Sequence, residues 1–347
     1  MDSTDRKIVF NHFYGLRHDL KRSYIYSREG NLLPVDGQVN IRVNEYWATK
    51  IHPIYAMLLS FASIPISYSK YICQIAYFLD ITNEEAENII KPFLDRDEPF
   101  HSHYGGVVSQ FPRNVIIDTD KATIFPLEYN PEEFNFDSVD LQQERSFYSP
   151  STVVFMPNNT CTTNCVYCYA DKTNGHRQMS FDQVKLILKS CYDLRIREFM
   201  ITGGDIFVYK HWRELLNCMR EYNMNIGLLS TKTPLQEEDV RLVKDYHVNM
   251  QFSLDASILK EVVGMNSDYL PRVRETFEFF DKYKLRYKVT TVLTKINASV
   301  SNVLDLYEFL QQFQCLAHWE VRIAHKSLYS KWNFEKLKIA KESIQQI

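Results

Sequence analysis

The sequence predicts an α/β protein: a partial (β/α)6 barrel preceded by a small α+β winged-helix-like domain. Three observations carry that prediction. From residue 152 onward, short apolar runs alternate with amphipathic helical patterns in six successive units. Ahead of them, two strand-like runs are followed by three helical patterns. Between the two regions the composition turns acidic and loses its periodicity. Alternating strands and helices imply a parallel sheet whose right-handed crossovers put the helices outside. Six units suit an open or partial barrel, because a closed eight-unit barrel takes about 250 residues.

Residues 1–127 form the first predicted domain. The runs "RSYIYSR" (22–28) and "VNIRVNEYWA" (39–48) read as strands. The segments "HPIYAMLLSFA" (52–62), "SYSKYICQIAYFLD" (67–80) and "NEEAENIIKPFLDR" (83–96) read as helices, and "GGVVSQFPRNVIID" supplies further strands. A helical cap packed on the barrel is the other reading of this region. Residues 128–149, "EYNPEEFNFDSVDLQQERSFYS", are acidic, lack a period and contain Pro131, and so are predicted to be a linker.

The barrel is predicted over 150–325. Its first strand, "TVVFM" (152–156), is followed by "SFDQVKLILKSCYDL", where Ser180 and Gln183 have capping-box spacing and Val184, Ile187, Leu188 and Cys191 share one helical face. The remaining strands are "EFMITG" (198–203), "NIGLLST" (225–231), "VNMQFSLD" (248–255), "RYKVTTVLT" (286–294) and "HWEVRIA" (318–324). Helical patterns separate them, one with Trp212, Leu215, Leu216 and Met219 on one side and another with Val273, Phe277 and Phe280. Residues 326–347 begin an amphipathic C-terminal helix or extension. In folds of this class, chemistry sits at the C-terminal ends of the strands.

A length of 347 residues is comfortable for two domains, and the 45% hydrophobic and 24% charged composition is that of an ordinary globular protein. The formal charge of −3 gives no sign of a polyanion binder. The opening "MDSTDRKIVF" lacks the basic flank and apolar core of a secretory signal, and "YAMLLSFASIPIS" is too short to span a bilayer. A cytoplasmic location without membrane association is therefore expected. In that compartment a disulfide is not the expected use of clustered cysteines.

The chain does cluster them. Three of its seven cysteines, Cys161, Cys165 and Cys168, fall within "CTTNCVYCYADK" (161–172), directly after the first barrel strand. Cys73, Cys191, Cys218 and Cys315 lie in amphipathic or strand patterns and are expected to be core or near-core residues. A structural zinc site normally takes four ligands, often in C-x2-C pairs. Here the nearest fourth candidate is His176, and no second such pair exists in the sequence. Three thiolates with no fourth suit a [4Fe–4S] cluster with one open iron.

The C-x3-C-x-aromatic-C pattern, with Tyr167 at the aromatic position, resembles the signature of radical S-adenosylmethionine (SAM) enzymes. Weaker likenesses follow in order at later strand ends. Gly203, Gly204 and Asp205 resemble the Gly-Gly-Glu motif that binds the SAM amino group, with Asp in place of the usual Glu. Lys232, after the third strand, would pair with the SAM carboxylate. Ser253 and Asp255 resemble the motif that contacts ribose and carboxylate, and the "TVL" containing Val292 and Leu293 would lie against adenine. By themselves such residues are as readily turn formers and helix caps. The resemblance covers about residues 150–325.

It implies that Cys161, Cys165 and Cys168 hold three irons, that SAM chelates the fourth, and that an external one-electron donor of flavodoxin or ferredoxin type drives reductive cleavage to a 5′-deoxyadenosyl radical. Family members that modify ribosomally made peptides often carry a winged-helix-like domain that captures a leader peptide at a sheet edge. The first domain resembles that element, with "VNIRVNEYWA" as candidate edge. The implied reaction is then hydrogen abstraction from a precursor peptide and its crosslinking, through a thioether or a carbon–carbon bond. Such relatives usually carry further clusters in a C-terminal extension. This sequence has no cysteine after Cys315, which fits either a fragment or a single-cluster protein. Two rivals remain: a radical SAM enzyme acting on a nucleic-acid base or small molecule, and a zinc-binding adaptor completed by His176. The acidic third helix argues against nucleic acid.

Overall fold

The computed structural model describes residues 6–27, 47–122, 127–145, 148–171, 177–196, 198–222, 224, 228–246, 248–255, 269–327, 330 and 333–346. The chain forms two compact units, one of residues 1–152 with 191–197 and 223–225, the other of 153–190, 198–222 and 226–347.

The first unit runs β1 (Lys7–Phe10), β2 (Tyr14–Asp19), β3 (Arg22–Ser27), β4 (Ala48–Ile51), α1 (Pro53–Ser60), β5 (Ile66–Ser67), α2 (Tyr68–Leu79), α3 (Asn83–Ile90), β6 (Phe100–Tyr104), β7 (Val107–Phe111) and β8 (Ile116–Asp118). Strands β2, β3 and β4 form an antiparallel sheet, β1 pairs with both β5 and β8, and β6 and β7 make a hairpin. Helix α1 starts at a proline, whose missing N–H costs nothing there, under a cap from the His52 side chain to Ile54 N at 3.1 Å. Helix α3 opens with a reciprocal Thr82–Glu85 capping box. The rings of Tyr55, Phe93, Phe100 and Phe111 meet in the core in mostly edge-on contacts. Cys73 departs from expectation: it is exposed, because Tyr71, Ile72, Ile75 and Ala76 take the buried face of α2.

The expected linker at 128–149 is folded into this unit. Tyr129 and Phe134 are buried in its core, and the Tyr129 hydroxyl accepts from Leu16 N at 2.9 Å. Further along, the Gln143 amide donates to the fully buried Asp19 at 2.9 Å, while Arg22 donates to the Gln143 carbonyl. Acidic Glu132 and Glu133 serve a capping box from Asn130, so their charges stay outside while the aromatics dock singly. Docking at irregular intervals leaves no period in the sequence to read. The first unit therefore reaches Thr152 rather than ending at 127. Of the predicted strand 39–48, residues 39–46 lie outside the described residues, and β4 begins at Ala48.

The strand–helix alternation follows: β9 (Thr152–Phe155), α4 (Phe181–Asp193), β10 (Glu198–Ile201), α5 (Trp212–Glu221), β11 (Leu228–Thr231), α6 (Glu237–Asp245), β12 (Asn249–Ser253), α7 (Tyr269–Lys282), β13 (Tyr287–Leu293), α8 (Val300–Leu310) and β14 (Leu316–Ile323). Strands β11 to β14 lie side by side in chain order, all parallel, and β9 pairs with β10. The Ser180–Gln183 capping box forms at α4. Trp212, Leu215, Leu216 and Met219 are buried along α5.

Side-chain alternation gives the sheet two unlike faces. Phe252 of β12 and Tyr287 of β13 pack on Phe277 of α7, with ring centroids 5.1 and 4.8 Å apart. Gln251, Ser253, Lys288, Thr290 and Val292 therefore take the opposite face, where the Gln251 amide donates to the Ser230 hydroxyl at 2.9 Å. Beyond β14, the expected C-terminal helix is two short ones, α9 (Phe334–Leu337) and α10 (Lys341–Gln346). The first is pinned by fully buried Leu337, whose carbonyl accepts from Lys295 N at 2.9 Å.

Candidate cluster and cofactor site at the strand ends

The three cysteines lie on the loop that leaves β9, and the base of that loop is fastened to the chain leaving β10. Gly204 N donates to Asn158 O at 2.9 Å, Asp205 N to Thr160 O at 2.7 Å, and the Asn158 amide to Asp205 O at 3.0 Å. The two backbones run so close that side chains do not fit between them. A Cβ on Gly203, which has φ +131°, would lie 2.3 Å from Asn158 O, and one on Gly204 would lie 2.0 Å from Thr160 O. These two glycines, expected at the cofactor, have a steric duty here that requires no ligand.

Within the loop, Cys168 N donates to Cys165 O at 3.2 Å, and the Thr163 hydroxyl lies 3.4 Å from Cys165 Sγ. Cys165 is buried, whereas Cys161 and Cys168 are partly exposed. Asn159 ties the far side, donating to Asp171 O at 3.1 Å and accepting from Arg177 N at 2.7 Å. The Thr162 and Thr233 hydroxyls meet at 3.0 Å, joining the loop to the end of β11. Among the described residues, no group of three or more His, Cys, Asp or Glu side chains is gathered closely enough to hold a metal ion. His176 lies outside the described residues.

Two buried carboxylates organise the strand ends around this loop. Asp255, after β12, is 1% exposed and accepts from Lys232 Nζ at 2.5 Å, from Val292 N at 2.8 Å and from the Tyr167 hydroxyl. One side chain thus joins the cysteine loop to the ends of β11 and β13. Burial and the Asp255 charge push the Tyr167 hydroxyl well above its ordinary pKa. Burial works against charge on Lys232, but Asp255, Cys165 and Asp205 together outweigh it and the ammonium titrates above its usual value. The Lys232 ammonium also stands 5.8 Å from the centre of the Tyr167 ring.

Asp205 is the second carboxylate, 4% exposed. Its Oδ2 accepts from the Thr231 hydroxyl at 2.7 Å, Lys232 N at 2.9 Å, Thr233 N at 3.0 Å and the Thr233 hydroxyl at 2.8 Å. Its Oδ1 accepts from Phe207 N at 3.0 Å.

Of the sequence-predicted site residues, the structure thus joins Tyr167, Lys232, Asp255 and Val292 in one network, and ties Gly204 and Asp205 to the loop base. Ser253 is partly buried on the polar face, and its carbonyl lies 3.5 Å from Lys232 Nζ. Leu293 does not join them. Strand alternation puts it on the face opposite Val292, 4% exposed, with its carbonyl accepting from Ala324 N at 2.9 Å. Sequence reasoning missed Asn297, whose amide donates to Asp255 O at 2.8 Å and Val292 O at 3.0 Å, and Tyr269, whose hydroxyl donates to Lys232 O at 2.5 Å. Neither lies in a recognisable motif. They brace the site from the first residue of α7 and from the turn after β13.

Residues 155–309 match the sequence profile of the Radical SAM superfamily. The chain carries a radical SAM domain. The cofactors of that superfamily are a [4Fe–4S] cluster and SAM. Among curated relatives, the subtilosin biosynthesis protein AlbA of Bacillus subtilis is 26% identical over 101 residues, covering 29% of this chain and 22% of AlbA. The GTP 3′,8-cyclase of Campylobacter lari is 28% identical over 161 residues, covering 43% of this chain and 48% of the cyclase. Among solved structures, Streptococcus suis SuiB bound to SAM aligns with a TM-score of 0.60 at 13% identity, over 97% of this chain and 68% of SuiB. SuiB bound to its precursor peptide SuiA aligns with a TM-score of 0.59 at 14% identity, over 94% of this chain and 66% of SuiB. The matched stretches span less than half of AlbA and of the cyclase. No described helix is long and apolar enough to cross a membrane.

Proposed function

We propose that the protein is a radical SAM enzyme that abstracts hydrogen from a ribosomally made precursor peptide and crosslinks it through a thioether or carbon–carbon bond. The observation that carries the radical chemistry is the presentation of Cys161, Cys165 and Cys168 on one loop at the C-terminal end of β9. The loop base is fixed by 203–205, and its aromatic residue is tied to Asp255. The residues fit the group. Three thiols are the donor set of a cluster with one open iron, and the Lys232 ammonium held beside Tyr167 of their loop suits the carboxylate of a zwitterionic ligand.

On this reading Cys161, Cys165 and Cys168 hold the cluster as thiolates. When bound, cluster and SAM supply a 5′-deoxyadenosyl radical by reductive cleavage of the sulfonium. Tyr167 closes the wall between the cysteine loop and β12, its hydroxyl held by Asp255. Lys232 presents a fixed positive charge to the ligand's carboxylate while remaining on Asp255. Val292, on the polar face at the end of β13, supplies an apolar surface for the adenine. Six strands with outer helices would close into a partial barrel around this site.

The first unit supports the peptide reading. Its order from α1 to β7 (helix, strand, two helices, hairpin) is that of a winged-helix-like domain. The structural likeness to SuiB extends over both units. The leader of the precursor would add as a strand to an edge of the sheet made by β2, β3 and β4. An external one-electron donor would supply the reducing equivalent, in the cytoplasm. A second reading, action on a nucleotide or other small molecule, draws on the sequence likeness to the GTP cyclase.

Iron, sulfide and zinc analysis after anaerobic reconstitution tests the cluster, with a Cys161→Ala/Cys165→Ala/Cys168→Ala variant as control. About four irons per chain, absent from the variant, is the expected result. About one zinc per chain and no iron would overturn it in favour of a structural metal site. Titration of a fluorescent precursor peptide, against the same peptide lacking its leader, tests the substrate class. Binding that needs the leader is expected, and equal binding of GTP alone with none of the peptide would favour the second reading.

A further inference from the structure

The acidic residue of the Gly-Gly-Asp segment invites one assignment by position, acceptor for the amino group of SAM, but its surroundings argue for another. A carboxylate has two oxygens and about four lone-pair sites. Those of Asp205 already receive five hydrogen bonds: Thr231 Oγ1, Lys232 N, Thr233 N and Thr233 Oγ1 on one oxygen, and Phe207 N on the other. Oδ2 is thus saturated, Oδ1 is already engaged, and with 4% exposure the group has no open side for an incoming ammonium. Its backbone is equally committed, since Asp205 N donates to Thr160 O and Asp205 O accepts from Asn158.

What the donors have in common is where they sit. Four of the five belong to residues 231–233, the turn leaving β11, and the middle residue of that turn is Lys232. The Lys232 carbonyl is held from the other side by the Tyr269 hydroxyl at 2.5 Å. Backbone N–H groups clamped to a buried anion make a rigid turn, because charge-assisted bonds are about twice as strong as neutral ones. The same turn reaches the cysteine loop through the contact of the Thr233 and Thr162 hydroxyls at 3.0 Å. An aspartate is also the right length. Leaving the backbone beside 158–160, it reaches the neighbouring strand end with its short side chain, where a glutamate would have to fold back.

We infer that Asp205 is a positioning residue: it fixes the 231–233 turn, and through it the aim of Lys232 and the seat of the cysteine loop, instead of binding the cofactor's ammonium itself. The inference rests on the SAM site proposed above, but its decisive measurement is made without SAM. A direct ligand would leave the empty protein undisturbed when altered, whereas a clamp would release its turn.

The test is hydrogen–deuterium exchange of the reconstituted, SAM-free protein for wild type and Asp205→Asn, with SAM affinity by calorimetry alongside. The amides of Lys232 and Thr233 should exchange at least about tenfold faster in Asp205→Asn, with weaker SAM binding as a consequence. A second variant, Thr231→Val/Thr233→Val, removes two donors but leaves the carboxylate in place. It should also loosen the turn and weaken SAM binding, by roughly threefold or more for two lost hydrogen bonds to a charged group. Unchanged exchange at 232–233 in Asp205→Asn, or undiminished SAM affinity in the threonine variant, would overturn the inference. Failure of the wild type to bind SAM at all would instead sink the site proposed earlier, and would leave the exchange result standing on its own.

Discussion

The Tyr167 hydroxyl and the Asp255 carboxylate are hydrogen-bonded across 88 residues of sequence, tying the residue before the third loop cysteine to the end of β12. The same carboxylate carries Lys232 and the Val292 amide, so three strand ends and the cysteine loop share one acceptor. Removing it should be felt at each of them.

Asp255→Ala strands the buried Lys232 ammonium and the Tyr167 hydroxyl together. Breaking a buried pair by deleting one partner costs about 3–5 kcal/mol. A lower urea midpoint is expected, accompanied by poorer retention of iron, because Tyr167 loses its anchor. A variant that matches wild type in both respects would show that the network contributes nothing to the loop.

Gly204→Ala should damage the cysteine loop without touching a thiol. The added methyl would overlap the Thr160 backbone at 2.0 Å, and the backbone there cannot swing aside as a flexible side chain can. Overpacking of this kind costs about 1–3 kcal/mol, and here it pushes directly on the residue before Cys161. Iron per chain should fall after reconstitution, while Gly106→Ala, in the β6–β7 turn with nothing within 4 Å of the added carbon, should retain it.

Mild acid should weaken the first unit. Burial is the main cause that holds the imidazoles of His18 and His52 below the ordinary 6.5. The unfolded chain then takes up protons that the folded chain refuses. The contribution of these two groups is intact above pH ~6.5 and is lost as pH falls below it toward their folded values. Asp118, pulled down mainly by its hydrogen bond from Arg6, comes into play only nearer its ordinary 3.8. Melting temperature should therefore drop between about pH 7 and 5.5. His52→Asn, which preserves a side-chain acceptor for Ile54 N, should flatten that slope.

Gln143→Leu tests the anchoring of the 128–149 stretch. It leaves Asp19 short of a donor in a fully buried position, at a cost of about 1–3 kcal/mol. Limited proteolysis should cut at residues 140–148 several times faster than in wild type. Equal cutting would mean that Tyr129 and Phe134 hold the segment unaided.

The parts of this molecule that were legible in its sequence are those with a period or a fixed spacing. Helices α1, α2 and α3 and the six strands β9 to β14 advertise themselves by apolar recurrence, and the three cysteines by their offsets. The 128–149 stretch was misread because Tyr129, Phe134 and Gln143 each dock, at irregular intervals, on a residue more than a hundred positions away in sequence. Leu293 was misassigned because a strand motif quoted as "TVL" conceals which of its residues faces which way, and alternation splits Val292 from its neighbour. Asp205 and Asp255 were recognised as important, but their hydrogen-bond partners are set by the adjacency of strand ends. No local pattern encodes that adjacency.

The fastening of 158–160 to 203–205 is made of two peptide hydrogen bonds and one from the Asn158 side-chain amide, and none of them involves a thiol. Iron–sulfur clusters are the most perishable part of any protein that meets oxygen, and a loop that owed its shape to iron would collapse with each loss. Here the hydrogen bonds beneath the thiols run between groups that would not ligate iron. A burnt-out cluster should leave behind a folded receptacle that can be recharged in place, so that damage to this protein is a matter of repair and not of resynthesis.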